Sequence, residues 1–310
     1  MTNTVNHRLA VVIPTKDRPD DLRKLLASLK GQSRRPEQLI VVDGSDPDIS
    51  HVVAEFRELP VEYVRVFPPS LAKQRNAGMA SLASDITLAG YLDDDIVLES
   101  DSVEEMMRFW ETCGPEYGGL AFNIVNNPSP GRVGLKQLLG IDHRIPGKVL
   151  ASGFPSTIYG VESDLETDWL YGGATIWRRE VISRFPYDEW YVGTGFMEDI
   201  DYSYGVRGTY RLGVVAAARL AHYSRPVRLD RQMLLGFWQI ANRMYFVRKY
   251  RDRGLRPSAA WFSSLSLALL NFGAGVLRRD RAYLHRFAGN IRGMMFEVAG
   301  KRVQIGGHLK

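Results

Sequence analysis

Cysteine is nearly absent from this 310-residue chain: Cys113 stands alone. A single thiol cannot close an internal disulfide, so a disulfide-built secreted scaffold is excluded and a reducing compartment is expected. Residues 1–8 are polar with no apolar h-region, so no secretory signal is expected. Internal repeats and low-complexity tracts are lacking, as are zinc-ligand spacing and any recognised nucleic-acid motif. What is present is an ordinary globular composition, 45% apolar and 24% charged. That excludes a disordered or collagen-like chain, and the length suits one large domain or two smaller ones.

Charge is unevenly spread. The chain is +5 overall, yet residues 225–292 hold 14 basic and three acidic side chains, Asp230, Asp252 and Asp280. The rest is acidic on balance, so a basic tail follows an acidic body. Such a tail suits an anionic partner, a lipid surface or nucleic acid. Arg243, Arg248, Lys249, Arg251, Arg253 and Arg256 cluster around Met244, Tyr245 and Phe246. This favours a membrane interface, with a solvated basic face packed on a partner subunit as the alternative. The run 259–277 lacks charge and is flanked by Arg256 and Arg278-Arg279. Its three serines, one asparagine and two glycines favour a packed or interfacial helix over a spanning one.

The first half alternates strand and helix. Strands are expected at 9–14, 39–42, 61–66 and 86–92, and helices at 20–31 (capped by Asp20), 49–58, 71–83 and 101–111. This rhythm predicts an α/β fold with a mainly parallel sheet and right-handed crossovers. Residues 126–134 read as a loop, 147–168 carry mixed signals, and long helices are expected from Arg231. The boundary falls at 225: a catalytic domain over 1–225 and a helical, basic region over 226–310.

Ligands of open α/β sheets bind beyond the carboxyl ends of the strands. Here those ends are 14–18, 43–46 and 93–95, and all three carry aspartate. Asp93-Asp94-Asp95 after an apolar strand is either a solvated acidic turn or a hard-cation site. Extended geometry would point Asp93 and Asp95 to the same side. Glu198-Asp199 follows Gly195 at an expected helix start, as helix-capping acids or as a general base. His222 is a structural histidine, or a metal ligand if it meets Asp95. Arg75-Asn76 reads as a surface helix face, or as contacts to a phosphate that also brace the acidic loop. Gly172-Gly173 reads as a tight turn, or as a place where backbone approaches a ligand.

The order of these pieces is more telling than any one of them. Val12-Ile13-Pro14-Thr15 with Asp17-Arg18, then Val42-Asp43-Gly44-Ser45, Arg75-Asn76-Ala77-Gly78, Asp93-Asp94-Asp95, Gly172-Gly173, Glu198-Asp199 and His222 follow one another. This series resembles family 2 of the inverting glycosyltransferases, which have the GT-A fold, over about residues 9–222. The resemblance implies a nucleotide-sugar donor held with a divalent metal, Mn²⁺ or Mg²⁺. Pro14, Thr15 and Asp17 would line the base and ribose pocket, Asp43 would accept from the base, and Arg75 would sit near the nucleotide. Asp93, Asp94 and Asp95 would form the donor acidic loop. Asp93 would lie near the ribose or a metal-bound water, and Asp95 on the metal with His222. Asp199 would be the base, Glu198 would orient or bind the acceptor, and Gly172 and Gly173 would border the sugar pocket. Two departures bear on the base: Gly44 replaces a second aspartate, and Lys16-Asp17 replaces Tyr-Asn.

The expected function is metal-dependent, inverting sugar transfer from a nucleoside diphosphate, UDP favoured. The acceptor would be a glycan or a lipid-linked molecule of cell-surface polysaccharide or glycolipid synthesis. The setting would be cytoplasmic, at the inner face of the membrane, with peripheral contact through 231–292. Oligomers are compatible with this reading, and no nucleic-acid partner is expected. Three alternatives stand beside it. A donor-binding module without transfer activity is opposed by the complete Asp93, Asp95, Asp199 and His222 set. Nucleotidyl transfer is opposed by the absence of glycine from 8–17. A nucleic-acid binder would use the basic tail.

Overall fold

The computed structural model describes residues 6–127, 134–193 and 195–300. Most of the expected 126–134 loop and the last ten residues of the basic tail lie outside the described residues. The chain divides into two compact units, Met1–Ser129 with Ile158–Ser224, and Pro130–Thr157 with Arg225–Lys310. The segment 130–157 therefore groups with the helical C-terminal region.

The first unit opens with β1 (Leu9–Thr15), α1 (Pro19–Lys30), β2 (Gln38–Asp43), α2 (Ser50–Ala54), β3 (Val61–Arg65), α3 (Leu71–Ala80) and β4 (Leu88–Leu92). Strands β3, β2, β1 and β4 lie side by side, all parallel. The inner strands β1, β2 and β4 are buried along their whole length, as apolar runs between two layers of helices must be. Edge strand β3 is wetter. Helix α1 buries Leu22, Leu25, Leu26 and Leu29 on one face and stops at Gly31. Its N-cap is Arg18 rather than the expected Asp20, because Pro19 occupies the first helical position, where its missing N–H costs nothing. Asp20 instead pairs with Arg23 one turn on, at 2.8 Å.

Beyond β4 the sheet becomes mixed. After β5 (Ile96–Leu98) and α4 (Ser102–Thr112) come β6 (Tyr117–Ile124), and, past the α5 segment of the second unit, β7 (Leu165–Thr167), β8 (Ala174–Arg178), α6 (Arg179–Arg184), α7 (Glu198–Arg207) and β9 (Arg211–His222). The full order is β3-β2-β1-β4-β8-β6-β9-β5, with β7 also on β9. Strand β8 is antiparallel to both β4 and β6, while β6 and β9 run parallel. Trp110 and Trp177 are among the largest side chains sealed in this unit.

In the second unit, α5 (Gly134–Leu138) precedes three long helices, α8 (Gln232–Lys249), α9 (Pro257–Leu277) and α10 (Arg281–Val298). Arg243 of α8 is 1% exposed, and among the described residues no carboxylate pairs with it. It donates to Ser263 Oγ at 3.2 Å and to Ser264, and lies 3.7 Å from the centre of the Phe154 ring. Burial alone pulls this guanidinium down to about 9.

Candidate functional site

The acidic triplet sits where β4 ends and β5 begins. It forms a turn, not the extended segment expected, yet Asp93 and Asp95 still converge. The turn is fixed from both sides. The Asp93 N–H donates to the Gly173 carbonyl at 2.9 Å, and the Tyr223 N–H donates to the Asp95 carbonyl at 2.9 Å. Pairing of β5 with β9 places Ile96 opposite His222, which brings the imidazole beside Asp95. Ligand atoms of Asp93, Asp95 and His222 all lie within 4.8 Å of one another.

Asp95 is 8% exposed. Its Oδ1 lies 2.9 Å from His222 Nε2, and among the described residues no other group donates to that oxygen. A buried carboxylate oxygen facing an imidazole nitrogen, with a second carboxylate beside them, is a donor set that fits a divalent cation. Burial opposes ionisation of Asp95, but His222 and Arg18 outweigh it and hold the carboxyl below the usual range. Burial likewise opposes charge on His222, and Asp95 raises it.

Asp94 turns away from this set. Its carboxylate accepts from Thr15 Oγ1 at 2.7 Å and from Arg18 at 3.0 Å, and Arg18 also reaches Asp95 at 3.2 Å. Burial pushes Asp94 up to about 6 in spite of both partners. Thr15 and Arg18 thus tie the end of β1 to the acidic turn. The role of Arg18 depends on β1 and β4 being neighbours, which no local sequence pattern shows.

The Glu198-Asp199 pair begins α7. Its N-cap, Met197, has φ +76°, a left-handed conformation that a side chain adopts at a cost and that recurs at functional sites. Asp199 accepts from the Ile200 N–H at 2.8 Å and from the Gly172 N–H at 3.3 Å. Burial raises its pKa, and Arg75 works against that rise. Glu198 is pushed well up, first by burial and then by Asp199.

Arg75, 1% exposed, joins the two acidic groups. Its guanidinium donates to Glu198 Oε1 at 2.9 Å and Asp93 Oδ1 at 3.3 Å, and lies 5.0 Å from the Tyr187 ring centre and 5.5 Å from that of Tyr91. One cation serves Asp93, Glu198 and Asp199. It stays protonated, and its charge opposes the burial-driven rise in both Glu198 and Asp199. Its neighbour Asn76 does not face the cluster. It captures the main chain of Tyr187 instead, donating to the carbonyl at 3.1 Å and accepting from the N–H at 3.0 Å.

The paired glycines are explained by crowding. A Cβ on Gly173 would lie 2.0 Å from the Asp93 carboxylate, and one on Gly172 would lie 2.6 Å from Arg75 and 2.8 Å from Asp199. Gly173→Ala is expected to displace Asp93 and weaken metal-dependent nucleotide binding by about tenfold or more, measured by calorimetry. Wild-type affinity would show that the Asp93 side chain can move aside without loss.

The remaining expected residues lie around β1 and β2. Asp43 is fully buried and its carboxylate is committed. Oδ1 accepts from the Ser45 N–H at 2.8 Å and Oγ at 2.5 Å, and Oδ2 from the Ile49 N–H at 3.2 Å, Arg65 at 3.4 Å and Tyr63. It organises the loop after β2. Pro14 is buried inside β1, opposite Val42. Asp17, exposed at φ +56°, is tied to that same loop through its N–H to Ser45 Oγ at 2.7 Å.

Residues 10–138, somewhat under half of the chain, match the family model described as Glycosyl transferase family 2. No curated protein matches. Among solved structures, the mannosyltransferase PcManGT from Pyrobaculum calidifontis, in complex with GDP-Man and Mn²⁺, shares 14% identity with a TM-score of 0.56. The similarity covers 96% of this chain and 89% of that one. S. aureus TarS 1–349 in complex with UDP shares 12% identity at a TM-score of 0.51, covering 96% and 93%. Against a longer S. aureus TarS chain, at 15% identity and a TM-score of 0.48, this chain spans 43% of that length. The likenesses to PcManGT and to TarS 1–349 show the GT-A fold, and over residues 10–138 the chain is similar to the family 2 glycosyltransferases.

Proposed function

We propose that this enzyme moves a sugar from a nucleoside-diphosphate donor, a UDP-sugar by preference, to an acceptor hydroxyl in one inverting, metal-dependent displacement. The observation that carries the proposal is the convergence of Asp93, Asp95 and His222 within 4.8 Å. Arg75 links that cluster through Asp93 to the Glu198-Asp199 pair. Mn²⁺ and GDP-Man in one structural neighbour and UDP in another support a donor site of this kind.

Asp93, Asp95 and His222 would hold Mn²⁺ or Mg²⁺, which offsets the negative charge that builds on a departing diphosphate. The other groups handle the proton and the geometry. Asp199 accepts the proton of the attacking hydroxyl. The Gly172 and Ile200 N–H groups hold its carboxylate in place. Its raised pKa makes it a stronger base than an exposed aspartate, so less driving force is lost in the transfer. Glu198, fixed by Arg75, positions the pair. Attack on the sugar face opposite the leaving group inverts the anomeric centre and needs no covalent intermediate. The acceptor is a glycan or lipid-linked hydroxyl, as in cell-surface polysaccharide or glycolipid synthesis.

Calorimetric titration with uridine, thymidine and guanosine diphosphates, with and without Mn²⁺, tests this reading. Metal-dependent binding is expected, uridine first. In Asp95→Ala the metal-dependent part should fall by about tenfold or more. Failure of all three nucleotides to bind in the presence of Mn²⁺ would overturn the donor-site assignment.

A further inference from the structure

Helix α9 carries an apolar stripe that the described residues leave about half exposed, Phe272 touching Phe287 of α10 at its edge. Phe262, Leu265, Leu269, Phe272 and Val276 are 56%, 53%, 59%, 47% and 54% exposed, and Leu277 at the end is 86% exposed. At 3.6 residues per turn the first five fall within an arc of about 80°. The rest of the helix is packed with small and polar residues: Ala260, Ser263, Ser264, Ser266, Ala268, Asn271 and Gly275 are buried. Ser263 and Ser264 hold Arg243 of α8, and Asn271 donates to Asn290 of α10 at 2.8 Å. The two faces therefore have different tasks. One binds the helix into its bundle, and the other is turned outward.

The cations limit what the outward face can meet. The helix has no acidic residue, and Arg256, Arg278 and Arg279 flank its two ends. A second copy laid along the stripe, parallel or antiparallel, would bring these cations against each other. A nucleic acid would satisfy the charge but would leave five large apolar side chains without a partner. An anionic lipid surface satisfies both requirements.

The helix is 21 residues long, about 32 Å, enough to cross a bilayer. Its packing argues against crossing. Because α9 lies against α8 and α10, a spanning α9 would draw Arg286 and Arg292 of α10 towards hydrocarbon, where charge is strongly disfavoured. We propose that α9 lies in the plane of an anionic membrane surface, with Phe262, Leu265, Leu269, Phe272 and Val276 entering the acyl boundary and the flanking arginines on the headgroups. This contact holds the enzyme at the inner face of the cell membrane. It rests on the helical unit alone and stands apart from the donor-site reading.

Flotation of the full chain with phosphatidylcholine vesicles, with and without phosphatidylglycerol, tests it. Binding is expected on the anionic vesicles at low salt and to weaken as salt rises. Phe262→Ser/Leu269→Ser/Phe272→Ser should lose binding by about tenfold or more. Arg256→Gln/Arg278→Gln/Arg279→Gln should lose about fivefold for each cation removed. Nucleoside-diphosphate titration of the same variants reports separately on the fold and on the donor site. The proposal is overturned if the wild-type chain ignores anionic vesicles. It is also overturned if the serine variant floats as well as wild type, which would mean polyanion binding by charge alone, as to nucleic acid. A wild-type dimer that the serine variant abolishes would equally reject it, and would assign the stripe to a second copy.

Discussion

Replacing Asp199 by asparagine is expected to lower turnover by about 10²–10⁴-fold while nucleoside-diphosphate binding is retained. The split follows from position. Asp199 is a neighbour of the metal-ligand set and not a member of it. The amide cannot take a proton from an attacking hydroxyl. It also presents one acceptor oxygen in place of two, so either the Gly172 or the Ile200 N–H loses its partner. That loss costs about 1 kcal/mol, too little to unfold the unit. Release of nucleoside diphosphate with water as acceptor gives a readout before the natural acceptor is found, and it also separates a transferase from a donor-binding module. In the wild type the acid limb of kcat should lie above the ordinary aspartate range, because burial raises the Asp199 pKa and the protonated form is inactive. Activity should therefore rise as pH increases through that limb. Wild-type turnover in Asp199→Asn would remove the base assignment, whatever the nucleotide does.

Much of this was legible in the sequence, for a physical reason. Strands β1, β2 and β4 are buried on both faces, so they appear as continuous apolar runs that periodicity alone can find. The crossover rule then points to their carboxyl ends, where Thr15, Asp43 and Asp93 stand. The second half of the sheet was not found. Strand β5 has three residues, β6 carries the adjacent glycines 118 and 119, and β8 is short. Their stability comes from pairing across long stretches of chain, which no local window contains.

The same limit divides the site. Asp93, Asp95 and His222 could be named from their order along the chain, but their meeting depends on the Ile96–His222 register of β5 and β9. Asp43 shows the converse. A strand-end aspartate beside Gly44 and Ser45 reads as an open acceptor, yet Ser45, Ile49, Tyr63 and Arg65 take up its lone pairs. Tyr63 and Arg65 come from β3, so the saturation of Asp43 is a property of the β2–β3 pairing. Segment 130–157 falls with the helices through contacts of the same non-local kind, such as Phe154 on Arg243.

Arg75→Met should be the most destabilising single change in the site, by about 3–5 kcal/mol, because it leaves Glu198 buried without its cation. Asp93 is 31% exposed on its side chain and contributes less, since water screens its loss. For a region of this size such a loss lowers Tm by about 2–4 °C for each kcal/mol. Arg75→Lys should recover only part of it. A single ammonium cannot span Glu198 and Asp93 as the planar fork does, nor lie flat against Tyr187 and Tyr91. A purely structural role would end there. A positioning role predicts more, because Arg75 is the main group opposing the burial-driven rise in the Asp199 pKa. In the folded lysine variant, a weaker opposition should leave the Asp199 pKa higher and move the acid limb of kcat to higher pH, with KM for the donor changed less than kcat. A lysine variant with lowered Tm but an unmoved limb would confine Arg75 to holding the fold. A methionine variant that melts with the wild type would show that Glu198 takes its proton in place of the missing cation, so that the charge in this cluster is carried by Asp93 and Asp199 alone.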